Sequence, residues 1–223
     1  MSDDKSVSYA NGVKDFSYFQ CQRPEMLPYI PREAVRILDV GCGAGEFGRS
    51  LKAARAVEVW GVEMDASAAT AATRYLDHVL CEPFDPMLHL PTRGFDCIIF
   101  NDVLEHLVDP FAALIYAREL LGDNGVVVCS IPNVRFWQNM KHLLIDKDWQ
   151  YTEHGILDRT HLRFFTRRSI LSTFDNLEYN VTRIEGINPS LSRKFRLLNW
   201  LLFNQIADMR YLQFAVVASP RTA

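Results

Sequence analysis

His106, His154 and His161, with the carboxylates of Asp39, Glu63, Glu82, Asp85, Asp102 and Asp158, are the side chains whose types and positions could do chemistry. A histidine can take a proton from a hydroxyl near neutral pH without prior activation. His106 closes the run Asn101-Asp102-Val103-Leu104-Glu105-His106, which follows an apolar segment. There it serves either as such a base or as a packing residue in the turn before Pro110. His154, Asp158, His161 and Arg163 crowd a second stretch. A His and an Asp could share a proton, and Arg163 could hold a carboxylate or phosphate with two bonds; alternatively, His161 and Arg163 pin that stretch to the core. His154, Asp158 and His161 are metal-ligand types, but they form no compact motif, and no metal is expected. Cys21, Cys42, Cys81, Cys97 and Cys129 contain no C-x-x-C pair, so neither a zinc site nor a disulfide framework is indicated. Reduced thiols and a cytoplasmic location are the expectation.

The carboxylate at Asp39 belongs to Ile37-Leu38-Asp39-Val40-Gly41-Cys42-Gly43-Ala44-Gly45-Glu46-Phe47. An apolar run with β-branched residues reads as a buried strand. Gly41, Gly43 and Gly45 follow, and then Phe47, Leu51 and Ala54 at helical spacing. Glycines let the backbone take positive φ and approach a ligand closely. The N–H groups of the helix start suit polar or anionic ligand groups. Gly43 to Gly48 also spells G-x-G-x-x-G, with Glu63 about 20 residues on, as in dinucleotide-binding proteins. Against that, the glycine pair starts late for a strand ending at Gly41, and Asp39 would repel a pyrophosphate. A cationic ligand suits Asp39 better.

On these residues the sequence resembles the class I S-adenosylmethionine-dependent methyltransferases, of the stand-alone bacterial small-molecule type. Asp39-Val40-Gly41-Cys42-Gly43-Ala44-Gly45 looks like their first motif. The likeness continues at Glu63, at Asn101 to His106 and at Pro132-Asn133, and spans about residues 17 to 185. The resemblance implies S-adenosyl-L-methionine as cofactor. It places Asp39, Gly41, Cys42, Gly43, Gly45, Glu63, Met64, Glu82, Asp85, Asn101 and Asp102 around it. Glu63, an acceptor-only carboxylate ending a strand, suits the ribose diol, and Glu82 and Asp85 compete for the adenine amino group. Asn101 would lie under the sulfonium or its amino-acid tail, and Asp39 would help hold the ammonium. His106 and His161 are the candidate bases, and His154, Asp158 and Arg163 the candidate acceptor contacts. O-methylation of a small-molecule acceptor is the expected reaction; Asp158 to Thr166 resembles methyltransferases of sugar and surface-polysaccharide pathways, which makes a sugar or polysaccharide precursor one acceptor, while other members of the wider family methylate quinones, lipids, nitrogen or carbon. The competing readings are an NAD-type oxidoreductase and a non-catalytic S-adenosylmethionine-binding protein.

These side chains need a scaffold, and the rest of the chain predicts one. Val57 to Glu63, His78 to Cys81, Phe95 to Phe100 and Val126 to Ile131 read as further strands, alternating with helices after Ser67 and from Pro110 to Leu121. That rhythm predicts an α/β fold: a doubly wound, mostly parallel sheet with helices on both faces. Asn180 to Glu185 and Tyr211 to Ala218 are later strands, the last one expected antiparallel. Helices are expected over Val134 to Ile145, over Arg167 to Phe174 capped by Thr166, and within Ser190 to Ile206. The 223 residues fit a single domain, with a polar lead to about residue 15, a lid or edge segment over about 16–31, and substrate-side insertions over about 134–166 and 187–210. A 48% hydrophobic fraction and a net charge of −3 suit a soluble globular chain and give no electrostatic case for nucleic acid. No apolar run reaches membrane-spanning length. The basic start and apolar stripe of 190–206 would meet an anionic membrane surface or a second subunit, or else cover the sheet. A small-molecule acceptor is the expected partner.

Overall fold

The computed structural model describes residues 16–221; the polar lead lies outside them. Seven strands form one sheet in the order β3-β2-β1-β4-β5-β7-β6. They are β1 Arg36–Val40, β2 Glu58–Val62, β3 His78–Leu80, β4 Phe95–Asn101, β5 Leu121–Pro132, β6 Tyr179–Pro189 and β7 Tyr211–Pro220. The first five run parallel, while β7 lies antiparallel to both β5 and β6. The doubly wound sheet with an antiparallel last strand is therefore the observed architecture.

The apolar run of β4 follows from its central place. Phe95, Cys97, Ile98, Ile99 and Phe100 are all fully buried, because helices cover both faces. Strand alternation splits the core in two. Leu38, Ile98, Phe100, Val127 and Cys129 pack with helix α3 (Pro110–Leu120) and helix α5 (Arg167–Asn176). Ile37, Cys97, Ile99 and Val128 pack with helix α1 (Glu46–Ala54) and the short 3-10 helix Pro24–Tyr29. Asp39 shares the second face, one residue before the strand ends, so its carboxylate is carried into the interior.

Helix starts follow their caps. Asp109 accepts from the N–H groups of Phe111 and Ala112, with Pro110 next. Thr166 and Ser169 form a reciprocal capping box on α5. Helix α2 (Ala66–Ala72) is capped by Asp65, which accepts from Ser67 and Ala68. Ser67 is thus inside the first turn. The expected helix over Val134 to Ile145 is shorter and irregular: α4 spans Trp137–Lys141 and passes into a π-helical turn, His142–Asp146. Within Ser190 to Ile206 the helix proper, α6, covers Arg193–Leu201.

Candidate active site

Strand β1 ends in a turn of three left-handed glycines, with φ of 68° at Gly41, 54° at Gly43 and 81° at Gly45. The glycines do different things. A Cβ on Gly43 would stand 2.6 Å from the carbonyl oxygen of Phe19, which also accepts from Ala44 N–H at 2.9 Å. Gly43 therefore admits the incoming N-terminal segment. A Cβ on Gly45 would press on Ala72 of α2, so Gly45 serves helix packing and is not on the cavity wall.

The turn borders a cavity of about 560 Å³ beyond the carboxyl ends of the strands. Asp39, Gly41, Cys42, Gly43, Glu63, Met64, Glu82, Asn101, Asp102, His106, His154, Asp158 and His161 all line it. The parallel sheet explains this convergence, since each βα loop leaves from the same edge. Glu63 accepts from Gly43 N–H and from Asp65 N–H, both at 2.9 Å. These bonds fix its carboxylate while leaving acceptor capacity. Asp39 is 2% exposed, and burial, aided by the Glu63 charge, pushes its acid up to about 7. Burial, with the charges of Asp39 and Glu63, also pushes the Cys42 thiol up, so Cys42 stays an uncharged wall residue. Asp39 Oδ2 and both amide atoms of Asn101 are buried without a hydrogen-bond partner among the described residues. Unpaired buried polar atoms at a cavity mark where a ligand's polar groups complete the network.

Two expected residues stand elsewhere. Asp85 is turned back on its own loop, accepting from Met87 N–H at 2.7 Å, and is off the cavity wall, whereas Glu82 is on it. Arg163 is not a cavity residue either: its guanidinium donates to the carbonyls of Val108 and Leu162, so it ties loop to loop. Asp102 lines the cavity but is already engaged by Ser130 Oγ at 2.8 Å, by Gln213 Nε2 at 2.7 Å and by an ion pair with Arg23. It holds the N-terminal segment rather than offering an open carboxylate. Arg23, Gln213, Phe84 and Glu105 are cavity residues that sequence reasoning did not single out. Only Glu105 had a signal, its place before His106.

The histidines meet. The rings of His106 and His161 lie 4.6 Å apart, edge to face. His161 Nδ1 lies 2.9 Å from the Ile156 carbonyl, which can only accept, so Nδ1 carries the hydrogen and Nε2 is the basic atom. Nε2 faces Glu105 Oε1 at 3.9 Å. Thr160 Oγ1 donates to Asp158 Oδ1 at 2.7 Å and stands 3.1 Å from His106 Nδ1. The Thr160 hydrogen is thus committed to Asp158, and His106 Nδ1–H donates to Thr160, again making Nε2 the basic atom. Glu105, His106 and His161 bring potential ligand atoms within 4.8 Å of one another. The metal-type trio that the fold gathers is therefore this one and not His154, Asp158 and His161.

A family model described as a methyltransferase domain matches residues 15–184. The chain belongs to the methyltransferase family. The methyltransferase is 26% identical over 206 residues, 84% of this chain and 75% of the relative, to a ubiquinone biosynthesis O-methyltransferase of Cereibacter sphaeroides strain ATCC 17029 / ATH 2.4.9. It is 31% identical, with the same coverage, to the protein of that name from strain KD131 / KCTC 12085. Among solved structures, it superposes on an S-adenosylmethionine-dependent methyltransferase of Archaeoglobus fulgidus with a TM-score of 0.66 at 18% identity, covering 92% of this chain and 94% of the other. The protein is an S-adenosylmethionine-dependent methyltransferase with the class I fold, and S-adenosyl-L-methionine is its cofactor. The oxidoreductase reading is set aside by the same match. The cavity fits that cofactor: a left-handed glycine turn, buried acids and the unpartnered atoms of Asp39 and Asn101 suit a ligand bearing cationic and hydrogen-bonding groups.

Proposed function

We propose that this methyltransferase transfers the methyl group to a hydroxyl of a small-molecule acceptor, with the His106–His161 pair receiving the hydroxyl proton. The observation that carries this reading is the meeting of the two rings on the cavity wall, each with Nε2 as its basic atom. When bound, the cofactor supplies an electrophilic methyl on a positively charged sulfur. Asp39 and Asn101 are assigned its amino-acid end and Glu63 the ribose hydroxyls, with Gly41, Cys42, Gly43 and Met64 beside it. Glu82, not Asp85, is assigned the adenine side. His106 Nε2 takes the acceptor's proton, while the Thr160–Asp158 chain holds its ring by Nδ1. His161 backs that ring, with its Nε2 turned toward Glu105. His154 and Asp158 flank the acceptor, and the 16–31 and 134–166 segments close over it, which favours an in-line approach and excludes water.

The names of the curated relatives support O-methylation and point to ubiquinone biosynthesis as the acceptor class. They lend no support to the sugar or polysaccharide acceptor. The test is an acceptor screen with isotopically labelled donor, containing hydroxylated quinone precursors and sugar nucleotides, read by mass spectrometry. Label on an acceptor oxygen is the expected result. Label on nitrogen or carbon only would overturn the hydroxyl assignment.

A further inference from the structure

Helix α6 and the residues after it present an apolar face that the fold does not cover. Phe195 is the buried residue of α6, and its ring packs 6.0 Å from that of Trp137. Phe195 and Asn199, one turn apart, form the inward side, and the remaining positions face outward. Leu197, Leu198, Trp200, Leu201, Leu202 and Phe203 are all exposed, Trp200 to 69% and Phe203 to 87%. Exposed apolar residues in a contiguous group mark an interaction surface. Arg193, Lys194 and Arg196 occupy the first turn on this same outward side. Among the described residues none of the three is in an ion pair. Residues 187–206 contain no acid, in a chain of net charge −3. The positive charge is therefore local to the apolar face.

The charge decides between occupants. A two-fold pairing of identical copies brings a patch against itself. Here the patch would have to meet itself, and residues 187–206 offer no acid to answer the Arg193-Lys194-Arg196 cluster. An anionic lipid surface offers hydrocarbon for the leucines and Phe203, an interfacial position for Trp200, and phosphates for the three cations. A second exposed apolar run, Leu143-Leu144-Ile145, continues from α4, which starts at Trp137 and so from the same ring contact. His142, just before that run, lines a second cavity of about 480 Å³ that shares His154, Ile156 and Leu212 with the first. The surface thus flanks the acceptor side of the site.

We propose that α6 with residues 201–203 docks the protein peripherally on an anionic membrane surface. The test is co-sedimentation of the full chain with phosphatidylcholine vesicles, with and without phosphatidylglycerol, alongside light scattering. Binding to the phosphatidylglycerol vesicles, weakening as salt is raised, is expected. The triple variant Arg193→Gln, Lys194→Gln, Arg196→Gln should lower that partition about a hundredfold, at about fivefold per basic residue. Trp200→Ser with Phe203→Ser should lower it at least about tenfold, through lost apolar burial. Both variants should retain calorimetric affinity for S-adenosylhomocysteine, which shows that they are folded and separates this surface from the active site. No partition of the unaltered protein onto phosphatidylglycerol vesicles would overturn the proposal. So would undiminished partition of the folded triple variant, or a dimer that the Trp200→Ser, Phe203→Ser variant dissociates.

Discussion

Asp39 sits one residue before the end of β1, with Glu63 just beyond the neighbouring strand β2, and its raised acid has two measurable consequences. A carboxyl group whose folded value lies above its unfolded one binds an extra proton in the folded state between the two. Stability therefore falls as pH rises from about 4 to about 7, and the group contributes no further slope outside that window. The full excursion is about 4 kcal/mol. Apo protein should accordingly lose melting temperature relative to Asp39→Asn as pH is raised from about 5 to about 8. A cationic ligand group beside Asp39 needs the ionised form. Calorimetric affinity for S-adenosylhomocysteine should thus fall by up to about tenfold per pH unit below 7, a slope that Asp39→Asn removes. A pH-independent affinity would place the ammonium elsewhere. His106→Ala should lower turnover by about 10²–10⁴-fold with donor affinity unchanged. If neither His106→Ala nor His161→Ala lowers it tenfold, positioning carries the reaction. The Glu105, His106 and His161 trio also has ligand chemistry, so a chelator distinguishes its uses. Turnover is expected to survive dialysis against a chelator, because a sulfonium needs no Lewis acid to release its methyl. Loss restored by a divalent metal would assign the trio to that metal.

At the scale of elements, the glycine turn and the N-terminal 3-10 segment act as one unit. Ala44 N–H and the Phe19 carbonyl join them, and Arg23 is tied to Asp102 at the end of β4. Gly43→Val is strained twice, by its φ of 54° and by a Cβ 2.6 Å from the Phe19 oxygen. The expected result is a folded protein that has lost donor binding, with the N-terminal segment released and newly open to protease. Retained donor affinity in a folded Gly43→Val protein would show that the donor does not depend on this turn. The loop carrying His161 is fastened as firmly. Leu162 and Arg163 N–H both donate to the Glu105 carbonyl, and the Arg163 side chain reaches the Val108 carbonyl. That fastening is why Arg163 serves the scaffold.

For the whole molecule, a ligand that binds only the folded state raises its melting temperature, by about 2.7 kcal/mol of stability at a hundred times Kd. S-adenosylhomocysteine should do this, and NAD at the same concentration should not. The reverse result would contradict the family assignment. No helix among the described residues is long and apolar enough to cross a membrane.

The strand-turn-helix at Asp39 to Phe47, the parallel order of the first strands and the carboxylate at Glu63 were legible in the sequence. Hydrophobic period, glycine spacing and strand-end position are local properties, and the parallel sheet then delivers every βα loop to one edge. The partners of side chains far apart in the chain were not legible. Whether Glu82 or Asp85 faces the cavity turns on one loop's backbone, which bends Asp85 back onto Met87. Asp102 reads as an open acid until Arg23, Ser130 and Gln213, from three other elements, converge on it. His106 and His161 are separated by α3, β5, α4 and the irregular loop, and only the folding of that loop over the strand ends sets their rings 4.6 Å apart. Sequence spacing carries the type of each group, but proton transfer and ion pairing depend on distances of a few ångströms, and those are set by tertiary packing.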